Sequence, residues 1–489
     1  MNTLTNSNIL NLKNALHLKW VWIPALVFEM FLGCAAIMMP QYIIPIFIGT
    51  CVIIFLTLRP EFSYILAILT LSNQLYGVST ATSEHLPFNL KFFEGAHSNI
   101  KALPFLVTDV FMLITFISWI LAKWAKIRGP YLHTPIDTPA KFFFLWIALS
   151  SLWATSLRET LIESIPLLGA FFGLYLSVNI IRTKKMFQLT IGAFIFIGVV
   201  NAIVAIVSLY CREHSYLITK YNSFALAFNW NTIAGARGYG LCFPQCTAHF
   251  LNLSIVLSLG LLLQAKGIKK IIFLLFIILI LVTGHLTTIS KGGFIGLIAG
   301  LIFFFINYKP LKGYLMTSFV LTIITIIVLF PLARFNEVGK ILTLGVARNI
   351  QSGSPTTATR LFVWKQTFPD VWDKTFGQGY GIGQMVPAHN IFFSVFFELG
   401  IVGFLIWLWL LIKFFYRIRT VTEMPIDSYY RTMLISLAAG IVAILSFGLV
   451  DLVYFDEITW TFFGIGMALI NLANRSVNLH VQKTFSRFN

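Results

Sequence analysis

The chain has 489 residues, 58% of them hydrophobic and 11% charged, with a formal net charge of +17. Soluble domains average about 45–50% apolar and about 25% charged residues, so this composition excludes a soluble globular protein. The five cysteines, Cys34, Cys51, Cys211, Cys242 and Cys246, sit mostly in or beside apolar runs, which argues against a disulfide framework.

Apolar runs of about 18–25 residues recur along the whole chain, each long enough to cross a bilayer. Lipid offers the backbone no hydrogen-bond partner, so such runs read as helices, whereas barrel strands would alternate over short segments. The fold class is all-α: a polytopic membrane helix bundle of about 12–14 transmembrane helices. Fourteen spans fall at about 20–38, 41–58, 62–76, 104–123, 141–155, 161–181, 186–210, 240–264, 269–284, 290–306, 313–332, 389–415, 432–450 and 455–473. The third and the ninth are the shortest, and merging or losing a pair leaves twelve. The first reads as a retained span rather than a cleaved signal.

Charge sets the orientation. With the N-terminus inside, 22 of the 35 lysines and arginines fall on inner segments, and short inner loops such as "RTKK", "AKGIKK" and "YRIRT" are basic. Outer loops mix signs. The positive-inside rule then places both termini in the cytoplasm. The net charge is mostly this topology signal, with contact to anionic membrane lipids as its by-product, and it implies no nucleic acid partner. Three outer segments are long: 77–103, 211–239 and 333–388. Loops of this length usually carry function or are disordered. Within the last, "TRLFVWKQTFPDVWD" at 359–373 reads as a short amphipathic helix lying on the outer surface.

Three cations stand on the outer side, where positive charge is least expected. Arg237 lies in "AGARGYGLCFPQCTAHF", Lys291 in "TTISKGGFIG", and Arg360 opens the surface helix. Each fits an anchor to lipid phosphate. Together they also fit a cationic cup for a phosphate or diphosphate, a role that suits the planar, bidentate fork of arginine. Glycines beside Arg237 and Lys291 would let the backbone approach a bulky anion. Trp364 and Trp372 fit either sugar stacking or interfacial anchoring.

His389 follows a run of glycines and Pro387 in "GYGIGQMVPAHNIFFSVFFELGIVGF", directly at a helix mouth. It fits a hydrogen-bonded structural residue. It also fits a general base, because the positive end of a helix dipole disfavours imidazolium and keeps the ring able to accept a proton. Asn390 suits a helix cap. Glu398 and Asp109 are carboxylates inside apolar spans, which are costly and open to structural or functional readings; Glu29 shares the ambiguity. Nine residues separate His389 from Glu398, about half a turn out of phase, so Glu398 is expected to pair with another helix or a water.

Other chemistries lack their signatures. "GQGYGIG" has no Lys-Ser/Thr after it and is not a nucleotide loop. The chain has no Asp-x-Asp, so metal-dependent sugar-nucleotide transfer has no obvious ligands. Cys242, Cys246 and His249 share one helix face, which fits small residues packed between helices better than a metal site. No metal and no cofactor is expected.

On these residues the chain resembles the O-antigen ligase and polymerase superfamily of bacterial envelope membrane proteins. Arg237 with "GYGLCFPQ" is similar to the family's Arg-x-x-Gly segment. "TISKGGFIG" is similar to its Ser-Arg-Gly segment, with Lys291 where an arginine is usual. "TRLFVWKQ" is similar to its Arg-x-x-x-Trp helix. "PAHNIFFSVFFELGIVGF" is similar to its His-Asn segment with Glu398, Gly400 and Gly403 behind it, and "LVTDVFMLI" around Asp109 is a weaker echo. The resemblance covers roughly 230–410. It divides the chain into an N-terminal transmembrane bundle at 1–230, a catalytic region at 231–415 including loop 333–388, and a C-terminal hairpin and tail at 416–489.

The resemblance implies a metal-independent glycosyltransferase of the bacterial inner membrane. It would take a glycan from undecaprenyl diphosphate on the periplasmic face and pass it to a sugar hydroxyl, the acceptor being a glycan or the lipid A core. Arg237 and Arg360 would hold the diphosphate with support from Lys291, Asn390 and Trp364, and His389 would take the acceptor's proton, inverting the anomeric centre. Within the family, chain length and the number of spans lean towards a repeat-unit polymerase over an O-antigen ligase, and a chain-length regulator is admitted as a partner. A lipid-linked glycan or solute transporter is the reading from another class. It is disfavoured because the ionisable candidates other than Glu29, Asp109 and Glu398 gather at one outer level.

Overall fold

The computed structural model describes residues 56–71, 107–213, 240–241, 244–308, 365, 375–381, 390–449 and 457–488. Their regular elements are eleven α-helices, with no strand among the described residues. In chain order these are α1 (Pro60–Thr70), α2 (Val107–Trp124), α3 (Asp137–Ser150), α4 (Leu157–Ile180), α5 (Lys184–Glu213), α6 (Pro244–Leu263), α7 (Ile268–Thr287), α8 (Lys291–Asn307), α9 (Ile391–Glu423), α10 (Ser428–Phe447) and α11 (Glu457–Phe488). Five of them, α5, α6, α7, α9 and α10, are long and apolar enough to cross a membrane. Shorter apolar helices are α1, α8 and the Leu167–Ile180 part of α4. The protein is a polytopic helical membrane protein. The expected spans at 20–38 and 313–332, and nearly all of 41–58, lie outside the described residues.

Short connections at 125–136, 151–156, 181–183, 264–267, 288–290 and 424–427 make the chain run up and down. The two ends of the bundle therefore differ. One end gathers Lys126, Arg128, Arg182, Lys184 and Lys266 on its connections and helix starts. The far end holds the connections 151–156 and 288–290 and the starts of α6, α8, α9 and α11.

The core is built around α6, which packs on α5, α7, α8 and α10. Its apolar window is 83% buried, against 33% for α7, so α6 is central and α7 peripheral. On α7 the exposed Ile268, Ile272, Phe276 and Leu279 recur at helical spacing, a stripe suited to lipid. Gly296 and Gly300 let α8 approach α10 closely: a Cβ at each would stand 2.7 Å and 2.9 Å from the carbonyls of Ala443 and Ala439. A second group pairs α4 with α11, α2 with α1 and α4, and α9 with α3. Polar side chains inside spans bond back to their own helix, as Ser254 does to Phe250 O (3.1 Å) and Ser436 to Thr432 O (3.0 Å).

At the basic end the interactions are exposed. Lys184 Nζ reaches Asp427 Oδ2 at 3.3 Å and lies over the rings of Tyr429 and Tyr430 at 4.7 Å and 5.2 Å. Asp427 caps α10 by accepting the Tyr429 N–H at 3.0 Å. That backbone bond, with the Lys184 ammonium behind it and partial burial opposing, holds its carboxyl below the usual aspartate range.

Candidate functional site

Lys291, Asn390, Glu398 and Asp109 are described. His389, Arg237, Arg360 and Trp364 lie outside the described residues, as does the surface helix at 359–373 apart from Lys365, which is helical and exposed. What is visible is how the described flanks of those segments are held.

The glycine run that leads towards His389 is fixed first. Helix α9 is interrupted at Gly400, whose φ of 66° and ψ of −171° only glycine adopts without strain. The break frees carbonyls from the helical ladder, and in lipid each must find a partner. Phe397 O accepts the Gln378 N–H (3.1 Å), Glu398 O accepts the Gly379 N–H (3.0 Å), and Ile401 N–H donates to Thr375 O (3.1 Å). Leu399 O accepts the Trp146 indole N–H at 2.9 Å. From the other side the end of α3 closes on the same strip. Tyr380 N–H donates to Ser150 Oγ (3.1 Å), the Trp153 indole to Phe376 O (3.0 Å), and Thr155 N–H to Gln378 O (2.9 Å). Glu398, fully buried, completes the set: its Oε2 accepts the Gly381 N–H at 2.9 Å. Four consecutive amides, 378 to 381, are thus pinned. Gly377, Gly379 and Gly381 all have positive φ (80°, 105°, 82°), the backbone path that glycines permit.

The mouth of α9 is fixed next. Asn390 is its N-cap: Oδ1 accepts the Phe393 N–H at 3.0 Å, and Nδ2 donates to Leu449 O at 3.1 Å. Ile391 N–H adds a 2.6 Å bond to Gly448 O. Residue 389 therefore joins a point tied to the end of α10. Lys291 begins α8 behind the N-cap Ser290, whose Oγ accepts the Gly293 N–H at 3.1 Å. The preceding Ile289 has φ 47°, rare for a β-branched residue. Such strain persists where the surroundings over-determine it. Here Asn252 Nδ2 holds Gly293 O at 2.9 Å, and the buried His285 stands 3.1 Å from where a Gly293 side chain would begin. One turn on, Gly296 packs on Ala443 and Phe447 of α10. The mouths of α8 and α9 are both built against the last turn of α10. Lys291 itself is exposed there.

The segment after Arg237 is held in the same manner. Gly240 N–H donates to Thr247 Oγ1 (3.1 Å) and Leu241 N–H to the buried Asn201 Oδ1 (2.9 Å). Asp109 belongs elsewhere: it and Glu457 of α11 converge where a Gly169 side chain would stand on α4. Both carboxylates are buried, at 9% and 4% exposure. Asn201, Ser150, Trp146 and Glu457 were not marked by any local pattern, although Glu457 is an acid at the head of an apolar span. Among the described residues no group of three or more His, Cys, Asp or Glu side chains gathers to hold a metal. His249 packs its ring 5.4 Å from Phe447, and Cys246 is a half-buried thiol.

Residues 273–408 match a family model described as O-Antigen ligase. This match supports membership of the O-antigen ligase and polymerase superfamily. The matched region takes in Lys291, the pinned glycine run, Asn390 and Glu398, with Gly400 near its end. Arg237 precedes it, and α10, which supports both mouths, follows it. No curated protein matches the chain. Members of this family are glycosyl-transferring enzymes, so the family supports membrane glycosyl transfer, with a lipid-linked glycan as donor and a glycan as acceptor.

Proposed function

We propose that the protein transfers a glycan from undecaprenyl diphosphate to an acceptor sugar hydroxyl, with the basic end of the bundle in the cytoplasm of the bacterial inner membrane and the far end at the periplasm. Diphosphate is already a good leaving group, so the protein must supply charge stabilisation, a base and alignment. Arg237 and Arg360 hold the diphosphate by bidentate bonds, and Lys291 adds charge. Lysine at the first turn of a helix opposes the helix dipole, a cost of about 0.3–1 kcal/mol that a bound anion would reverse. His389 takes the proton of the acceptor hydroxyl as it attacks the anomeric carbon, and in-line displacement inverts that centre. Asn390 keeps one proton of its amide for substrate beyond its two structural bonds. No metal takes part in this scheme.

The observation that carries the reading is the shared support of two mouths. Helix α8, which begins with the exposed Lys291, packs its Gly296 on Ala443 and Phe447 of α10, and Asn390 at the start of α9 bonds Leu449 O just past the end of α10, within or beside the matched region. Chain length and the expected span number favour a repeat-unit polymerase. The second reading is an O-antigen ligase that attaches the glycan to lipid A core, and the family match is common to both. Purified protein given undecaprenyl-diphosphate-linked repeat units, with and without lipid A core, separates them. A product ladder on the carrier without core supports the polymerase, and product only with core supports the ligase. No product in either case, beside an active family member as control, overturns transfer and favours transport.

A further inference from the structure

We propose that Glu398 is a positioning residue for glycan transfer: its carboxylate fixes the Gly381 amide and thereby the start of the segment that ends in His389. This rests on the functional reading above. Glu398 is fully buried on the face of α9 that meets the glycine run, so it acts on backbone rather than on a sugar in solvent.

Its place in the set of bonds is specific. Gln378, Gly379 and Tyr380 donate their amides to Phe397 O, Glu398 O and Ser150 Oγ. Gly381 is the last of the four pinned amides and the only one of them held by a carboxyl side chain. Nine residues later the chain is fixed again, at Asn390, by the helix cap and the bond to Leu449 O. Gly381 and Asn390 are therefore two held positions, one on each side of His389 in the sequence. Without the carboxylate, the buried Gly381 N–H loses its acceptor and must move to find another. A displacement of about 1 Å at the reacting group can cost on the order of 100-fold in rate.

The test compares Glu398→Gln and Glu398→Ala in the full-length purified protein, with transfer from undecaprenyl-diphosphate-linked donor and amide hydrogen exchange measured on the same samples. Glutamine keeps an acceptor oxygen for Gly381, and alanine does not. The expected result is kcat lowered on the order of 100-fold in the alanine variant at unchanged donor KM, with glutamine restoring most of it and the pH–rate profile unmoved. Exchange at amides 378–381 should quicken in the alanine variant alone. Alanine with wild-type kcat per folded molecule, or wild-type protection at 378–381, overturns the proposal. So does a glutamine variant as inactive as alanine with one limb of the pH profile missing, because Glu398 would then handle a proton itself. A wild-type protein inactive on the donor overturns the transfer reading and any positioning role in it, whereas the exchange result still decides whether Glu398 holds the strip.

Discussion

Replacing Gly400 by alanine should unlock the far end of the bundle. Its φ of 66° with ψ of −171° lies in a region other residues occupy at about 1–3 kcal/mol. A methyl group there would also meet the facing strip, 2.5 Å from Phe376 C and 2.6 Å from Gly377 N, with Thr375 O closer still. The strip must retreat, and with it the bonds from Gln378 to Phe397 O, Gly379 to Glu398 O and Ile401 to Thr375 O. Each contributes about 0.5–1.5 kcal/mol net. The combined loss is about 3–7 kcal/mol, a large share of the 5–15 kcal/mol typical of a folded domain. Thermal unfolding in detergent reads it, with Gly192→Ala as control. Nothing lies within 4 Å of a Cβ at Gly192, in the interior of α5, so that change should stabilise by about 0.5–1 kcal/mol. If Gly400→Ala melts with the wild type while Gly192→Ala behaves as expected, the broken helix and its clamped strip are not the structure's basis of stability.

His389→Ala should abolish transfer while the melting temperature stays at the wild-type value; full activity would remove the histidine from the mechanism. Asn390→Ala loses the α9 cap and the tie to Leu449 O, which should cost about 1–2 kcal/mol in the same melt and lower kcat. Gly448→Ala keeps an allowed φ of −64° but places a Cβ 2.8 Å from Ile391 Cγ2. It should displace the α9 mouth by a few tenths of an ångström, lowering kcat more than stability, and an unchanged kcat would count against that mouth as the site of the base. Asp427 has a folded pKa below its unfolded value, so its stabilisation is present above about pH 4 and is lost as pH falls through the depressed folded value. The side chain is about half exposed, 51% against 44% for its partner Lys184, so after solvent screening Asp427→Asn should cost under about 1 kcal/mol at pH 7. That gap should close in acid, as differential melts at the two pH values would show.

The membrane-crossing helices among the described residues are legible because lipid leaves one solution for a long apolar run, and the run itself is local in sequence. Glu398 was legible as a cost, a carboxylate in such a run, but its partner was not. The amide of Gly381 lies on a different segment, and no periodicity connects the two. The rest of the clamp is less visible still: Tyr380 finds Ser150 across 230 positions and Trp146 finds Leu399 across 253. Gly400 hid for a related reason. "ELGIVGF" continues an apolar pattern, and one glycine in it reads as a tolerated helix residue until the strip that takes up the freed carbonyls is seen. Asn201 and Thr247 read as ordinary polar residues in spans, yet they hold the chain just past Arg237. Glu457 stands at the polar head of a span, and only the packing of α2, α4 and α11 sets it beside Asp109.

The two ends of the bundle are held by different physics, and the difference bears on where precision is needed. The basic end relies on ion pairs such as Lys184 with Asp427 and Arg419 with Glu423, the latter 81% and 66% exposed. Pairs of this kind contribute little, are screened by salt, and tolerate movement. The far end relies on buried or partly buried bonds from side chains to backbone amides: Glu398 to Gly381, Ser150 to Tyr380, Asn201 to Leu241 and Asn390 to Phe393. Each is costly to leave unmade, so each fixes a backbone position rather than merely favouring it. The flanks of the segments carrying Arg237 and His389 are fixed in this way, and Lys291 stands on a strained corner over buried His285 and Asn252. A reaction between a lipid diphosphate and a sugar hydroxyl gains most from alignment of leaving group, base and acceptor. The far end is where such alignment could be maintained while the rest of the bundle accommodates the membrane.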